Sequence, residues 1–479
     1  MDRNLTFYTL FYLISLIAMR VCGIFAKILL ARSITPYEYG LITLIILTIP
    51  NFMQFITNFC FYDILGHATD GKKYLGFSLI YGIISTIILA LIFYMCHAPI
   101  FTFLNIPQDY WWIFYIIIFT VLFSVTIRGV ITGYLRGIRK HTYAASLSAE
   151  PSILRVIFIV SAVYLFGIDN FYAIIILFAL PPFLTLIPVI IIKFRDLSLS
   201  VKSVELPNSQ IMNFGLSFFI LNLWMGVTQQ INSIILSHEL GIIWQGYFDV
   251  SLSAVAVITF FSSAIYMISA PETTIKNNRS ELLLKRGGFG DIGKILFSMC
   301  LLCVLITYFY SYQIITFLFT EKYAIASDYL IILAIGYAVL FVQQFCSYLS
   351  VSDEGKKGLS KLSLVTVASL VFFPFFTYFM IFYFGFLGAY LATTIFIILY
   401  TLVTIILIEN RTSLLLLFTK VDRLALSGFG TFLIIYLLHL SFIPGIITSL
   451  VLFTVLIFFL GYVDKDIVLE MIAIKRKKG

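Results

Sequence analysis

Residues 7–30 read FYTLFYLISLIAMRVCGIFAKILL, an apolar run interrupted only by the cations Arg20 and Lys27. At 1.5 Å per helical residue, such a run crosses the roughly 30 Å hydrocarbon core of a bilayer. It is too long for the apolar region of a secretory signal and lacks a small-residue cleavage site, so it reads as a retained membrane span. Working outward, comparable runs follow at 39–62, 76–97, 111–135, 147–168, 170–193, 211–236, 247–270, 292–319, 328–350, 361–383, 386–408, 424–442 and 443–462. The shortest gaps, at Gly167–Asn170, Gly385–Phe386 and Pro444–Gly445, carry Gly or Pro where a tight reversal needs them. The sequence thus predicts an all-α membrane protein of about fourteen transmembrane helices.

Composition agrees with this reading. Of 479 residues, 61% are hydrophobic and 11% charged, with a mean hydropathy of +1.04. A soluble chain carries roughly a quarter charged residues. There is too little polar surface to cover a globule in water, and no room between the runs for a large soluble domain.

The cations set the topology through the positive-inside rule. With a cytoplasmic N-terminus, the inner loops and both termini hold 25 of the 31 Lys and Arg residues, and the outer loops hold only Arg32 and Lys322. Both termini are therefore expected inside a multi-pass cell-membrane protein. The net charge of +8 is accounted for by topology, and nucleic-acid binding is not implied.

An internal repeat is legible. Residues 27–70 lie over 233–276 at a shift of 206 without gaps, which sets Gly40 against Gly246 near the start of the second helix of each copy. Six helices per copy insert both copies the same way up. This predicts a parallel repeat with substrate between the halves, an architecture transporters use. The domains expected are a first lobe at 1–205, a second lobe at 206–410, and two further helices with a basic tail at 411–479.

Catalysis is not indicated. The chain has no H-E-x-x-H, no G-x-S-x-G and no G-x-x-x-x-G-K-[ST]. The longest outer loop, between Ala98 and Tyr110, carries one acid, Asp109. The six cysteines, including Cys300 and Cys303, lie in or beside apolar runs, where small packing residues are the expectation and a metal site is not.

Four groups of residues resemble a known family. They are Leu30-Ala31-Arg32 with Pro36-Tyr37-Glu38-Tyr39-Gly40, and Gly133-Tyr134-Leu135-Arg136-Gly137 leading to Glu150-Pro151. The third runs from Phe214-Gly215 through Gln230-Ile231-Asn232 and Gly246-Tyr247 to Pro271-Glu272, and the fourth is Gly385-Phe386-Leu387-Gly388-Ala389-Tyr390-Leu391-Ala392-Thr393. Their order and spacing, over roughly residues 10–400, resemble the polysaccharide and oligosaccharide lipid flippases of the multidrug/oligosaccharidyl-lipid/polysaccharide exporter superfamily. The resemblance implies two six-helix lobes around a V-shaped central cavity. It also implies movement of a polyprenyl-linked oligosaccharide from the cytoplasmic to the outer leaflet. At the position of Asn232 the family often carries an aspartate.

Independently of the family, Arg20, Lys27, Arg128 and Arg155 lie within spans, all in the first lobe. A charge at the bilayer centre costs on the order of 3 kcal/mol on insertion scales. The acids Asp63, Glu150, Asp249 and Glu272 fall at the ends of the apolar runs, so the cations are expected to want an anion. A lipid-linked phosphate or pyrophosphate would supply one. Arg20, seven residues before Lys27, shares its helix face and lies mid-span, whereas Lys27 is close enough to the outer end to reach the interface. For Arg128 and Arg155, snorkelling or pairing with Glu150 competes with a cavity role.

Polar stripes accompany these cations. Asn51, Gln54 and Asn58 recur at i, i+3 and i+7 on the second helix, and Gln229 and Asn232 lie three apart on the seventh. They would either line a cavity and bind sugar hydroxyls or bond between helices, at about 0.6 kcal/mol each. Gly129, Gly133 and Gly137 form a close-packing face on the fourth helix, and Pro50 is either a hinge or an inert kink.

The reading is a flippase for a polyprenyl phosphate- or pyrophosphate-linked oligosaccharide working by alternating access. A multidrug extruder and a peptidoglycan-precursor flippase of the same superfamily are the alternatives. No cofactor or metal is expected, and an ion gradient, the membrane potential or substrate supply would drive movement. The expected partners are the lipid-linked oligosaccharide, membrane lipids and glycan-assembly enzymes, around a monomeric transporter.

Overall fold

In a computed structural model, residues 3–463 are described apart from 68–70, 110, 139, 189, 192–204, 274–287, 355 and 408–417. The inner-loop cations within those gaps, and the basic tail from 464 onward, lie outside the described residues. Each of the fourteen apolar runs is occupied by helix. The helices are α1 (Arg3–Ser33), α2 (Pro36–Asn58), α3 (Leu75–Met95), α4 (Trp111–Gly137), α5 (Thr142–Leu165), α6 (Phe171–Pro188) and α7 (Ser209–Glu239). They continue with α8 (Ile242–Thr273), α9 (Gly288–Phe319), α10 (Leu330–Glu354), α11 (Lys356–Phe384), α12 (Phe386–Leu407), α13 (Val421–Leu438) and α14 (Phe442–Phe459). Among the described residues, twelve helices, α2 to α6 and α8 to α14, are long and apolar enough to cross a membrane, and α7, bent by 48° near its middle, makes a thirteenth; the span at α1 rests on its sequence. The chain is an all-α membrane protein.

Local chemistry places the breaks. Thr35 caps α2 in a reciprocal capping box: its side chain accepts from the Glu38 amide, and the Glu38 carboxylate accepts from the Thr35 amide at 2.9 Å. Pro36 follows in the first turn, where a missing N–H is harmless. Asn170 caps α6 by accepting from the Tyr172 and Ala173 amides, and Gly385 takes the left-handed conformation (φ 58°) between α11 and α12. The reversal expected at Pro444–Gly445 lies instead at His439–Ser441, where His439 turns left-handed (φ 45°). Gly445 is needed for packing, because a Cβ there would strike the Tyr310 ring. Pro50 follows a π-turn at Leu44–Thr48. A proline at 50 removes the donor for the Ile46 carbonyl, so the helix widens just ahead of it.

The chain forms two compact units. One comprises Met1–Ser253, Leu318–Tyr323 and Thr366–Ala389; the other comprises Ala254–Phe317, Ala324–Val365 and Tyr390–Gly479. Within the first, α1 packs along α5, with Gly23 against Ser152. The glycine face of α4 receives other backbone directly. A Cβ on Gly133 would lie 2.8 Å from the Tyr62 carbonyl, and one on Gly137 would lie 2.1 Å from that of Leu65. The start of α2 also crosses the start of α8 here. A Cβ on Gly40 would lie 2.3 Å from the Ile242 carbonyl, and one on Gly246 would lie 2.5 Å from that of Pro36. In the second unit, Gly336 of α10 lies against Thr394 of α12, whose hydroxyl donates to the Ile332 carbonyl at 2.8 Å. There too, Tyr310 of α9 donates to the Leu440 carbonyl at 3.1 Å.

Candidate functional site

The candidate site is built on α1. Arg20 and Lys27 are two helical turns apart on one face, yet their environments differ. The Lys27 ammonium donates to both oxygens of Asp249 at 2.9 Å and to the Ser253 hydroxyl at 3.4 Å. The Tyr39 hydroxyl donates to the same carboxylate at 2.7 Å. This corrects the expectation that Lys27 lacks an acidic partner. The apolar run at 247–270 put Asp249 at a helix end, but α8 begins at Ile242, so Asp249 lies about two turns inside it. The polar Gln245 and the small Gly246 masked those first turns in the hydropathy pattern.

Arg20 is exposed and, among the described residues, has no hydrogen bond or ion pair. A guanidinium offers five donors in a fixed fork and cannot shed its charge. Left bare in mid-span, it favours an anion with more than one acceptor oxygen.

Arg128 and Arg155 are held by backbone, through a break in α6. Pro182 has no N–H, so the carbonyl of Phe178 loses its intrahelical donor. Arg155 fills the vacancy, donating from Nε to Phe178 O at 3.1 Å with its guanidinium 4.8 Å from the centre of the Phe178 ring. One turn later the segment Pro181–Leu184 ends, leaving last-turn carbonyls open. There Arg128 donates through one terminal nitrogen to Pro182 O and to the Thr185 hydroxyl. An unmade hydrogen bond in a membrane costs several kcal/mol; Arg155 satisfies a carbonyl that Pro182 left open, and Arg128 one at the end of the segment. These two guanidiniums thus have neutral acceptors, while the buried Nε of Arg128 has no hydrogen-bond partner among the described residues. Glu150 lies near enough to Arg128 to interact electrostatically, without a salt bridge among the described residues.

The polar stripes divide in a similar way. Asn232 is buried (1% exposed) and its amide donates to the Ala389 carbonyl of α12 at 3.0 Å, a bond between helices. Asn58 is buried with its amide over Gly129 of α4, so it packs between helices as well. Asn51, Gln54 and Gln229 are half-buried on α2 and α7. Sequence reasoning missed Asp249, Tyr39 and the α6 carbonyls. The Pro181-Pro182 pair was the available signal for the last of these.

No family model matches the sequence, and no curated protein matches it. Solved structures do. The lipid II flippase MurJ in an inward closed conformation superposes with a TM-score of 0.63 over 93% of this chain and 97% of that one, at 15% identity. An inward-facing multidrug resistance MATE transporter of the MOP superfamily gives 0.57 over 85% and 98%, at 12% identity. The chain shares the fold of these solved structures. A MOP superfamily transporter from Pyrococcus furiosus, described as having a binding pocket of reversed polarity, shares that fold with a TM-score of 0.54 over 84% and 96%, at 14% identity. The MOP fold thus carries lipid flippases and drug exporters alike, and discrimination between such cargoes has to come from side chains.

Proposed function

We propose that the protein is a transporter that moves a lipid-linked oligosaccharide, bearing a polyprenyl phosphate or pyrophosphate, from the cytoplasmic to the outer leaflet by alternating access. The observation that carries the reading is Arg20, an exposed guanidinium with no partner among the described residues, lying midway along the apolar run at 7–30. Placing it there costs several kcal/mol unless a ligand uses it. A phosphate or pyrophosphate matches its fork and charge. Cytoplasmic termini follow from the charge asymmetry of the loops, with lobes at 1–205 and 206–410 related by the repeat and α13, α14 and the tail at 411–479. Glycan-assembly enzymes are the natural suppliers and consumers of such a cargo.

The shared fold with MATE transporters favours multidrug extrusion as a second reading. Cationic drugs call for acids in the binding chamber; Asp249 is taken by Lys27, and half-buried Glu150 on α5 lies near the cation Arg128. The two readings separate in cells. Arg20→Ala should reach the membrane at normal levels and abolish surface-glycan export, leaving lipid-linked oligosaccharide on the inner leaflet. Normal export by that variant refutes the flippase reading, and loss of cationic-dye efflux instead supports the drug exporter.

A further inference from the structure

The Lys27–Asp249 pair does more than neutralise a buried lysine. It joins the last turns of α1 to the second turn of α8, beside the crossing of α2 and α8 at Gly40 and Gly246. The side chains of Lys27 and Asp249 are 22% and 13% exposed. Water can reach the pair only poorly, so losing either partner leaves an uncompensated charge.

Two further cations at this end bond to backbone. Lys322 donates to the Ile34 carbonyl at 2.7 Å and Arg32 to that of Leu318 at 2.8 Å. Glu38 is engaged in its own capping box. Lys27 and Asp249 pair as side-chain charges across two helices, α1 and α8. The positions 206 residues from Lys27 and Asp249 are Ser233 and Thr43, both neutral. An ionic tie is thus laid over the seam at positions whose counterparts, Ser233 and Thr43, are neutral.

Arg20 lies on the face of α1 that carries Lys27, about 10 Å away along the helix. A phosphate held at Arg20 has one further cation within reach on that face, and to use it the phosphate must take Lys27 from Asp249. We propose that the Lys27–Asp249 pair is the latch of this end of the bundle, and that an anionic headgroup opens it by replacing Asp249 at Lys27. The proposal rests on the anionic-cargo reading above, and on the loop topology that places this end on the outer face.

The test is a distance. Spin labels carried on bio-orthogonal side chains at Tyr37 and Ile243, both exposed and flanking the Gly40 crossing, report opening with the native cysteines kept. In nanodiscs, Asp249→Asn and Lys27→Met should each raise the open-to-closed ratio by at least about tenfold. The exchange Lys27→Asp with Asp249→Lys should restore the closed distance, which a merely misfolded variant would not do. Undecaprenyl pyrophosphate should lengthen the distance in the wild type, leave Arg20→Ala closed and add nothing to Asp249→Asn. An unchanged distance in both single variants overturns the latch, as does a wild type that stays closed with the pyrophosphate bound. Failure of the latch leaves the export defect of Arg20→Ala in place, whereas failure of the cargo reading shows as normal export by Arg20→Ala at any distance.

Discussion

The Tyr39 hydroxyl donates to Asp249 at 2.7 Å, and the equivalent positions of the other repeat copy, Gln245 and Thr43, bond to each other as well, at 3.2 Å. A shift of 206 carries Tyr39 to Gln245 and Thr43 to Asp249, so each contact is the image of the other. The same exchange relates the contact of Gly40 with Ile242 to that of Gly246 with Pro36. Contacts in which residue i meets j and the equivalent of j meets the equivalent of i are the mark of a two-fold axis. The axis passes by Gly40 and Gly246, which touch each other. The seam between α2 and α8 is therefore self-complementary in backbone and hydroxyl contacts, and its symmetry is broken by Lys27 and Asp249.

That seam leaves no space for a methyl group. Gly40→Ala would put a carbon 2.3 Å from the Ile242 carbonyl, against backbone that cannot swing aside. The expected cost is about 1–3 kcal/mol, the usual penalty for overpacking, visible as a lowered Tm of the protein in detergent. Gly428→Ala in α13, where nothing lies within 4 Å, is the control. Its Tm should hold or rise, because alanine is the better helix former by about 1 kcal/mol.

The two hydroxyl bonds of the seam should differ in weight. Tyr39 donates to a carboxylate and Thr43 to an amide oxygen. Hydrogen bonds to charged groups contribute about 1.5–3 kcal/mol, against about 0.5–1.5 for neutral pairs. Tyr39→Phe is thus expected to destabilise the protein about twice as much as Thr43→Val in thermal unfolding. Equal losses would mean that the Asp249 charge is fully balanced by Lys27 alone.

The fold was legible because hydropathy reports membrane spans directly, and Gly167–Asn170 and Gly385 fell where the helices turn. The shift of 206 set Gly40 against Gly246, although nothing in one dimension says that two such glycines touch. The site was only partly legible. A hydropathy window cannot see that α8 begins at Ile242, so Asp249 passed for an acid at a helix end and Lys27 for a cation without an acidic partner. Arg128 and Arg155 were misjudged for another reason. Their partners include main-chain carbonyls, which carry no residue identity; Phe178 O becomes available to Arg155 because Pro182 withholds a donor, and Pro182 O to Arg128 because the segment ends there.

Arg20 should be tested by binding as well as export. With undecaprenyl pyrophosphate in nanodiscs, Arg20→Ala is expected to weaken affinity by roughly 10- to 100-fold, the loss of one or two charge-assisted bonds. Arg20→Lys keeps the charge and loses the planar fork, so an intermediate loss is expected. Equal affinities for all three proteins, measured by titration, would remove Arg20 from the headgroup site.

The arginines of α6 allow a cleaner test, because the cause of their placement can itself be mutated. In the wild type, Arg155 supplies the bond that Phe178 O cannot obtain from residue 182. Arg155→Ala strands that carbonyl, at an expected cost of about 1–3 kcal/mol. Pro182→Ala returns an N–H four residues after Phe178 and lets the carbonyl find its helical partner. In that background Arg155→Ala should cost less, with a coupling of about 1 kcal/mol between the two sites. A double-mutant cycle read by reversible unfolding in mixed detergent measures it. A coupling of zero would mean that Arg155 serves the bundle through its contact with the Phe178 ring and not through the carbonyl.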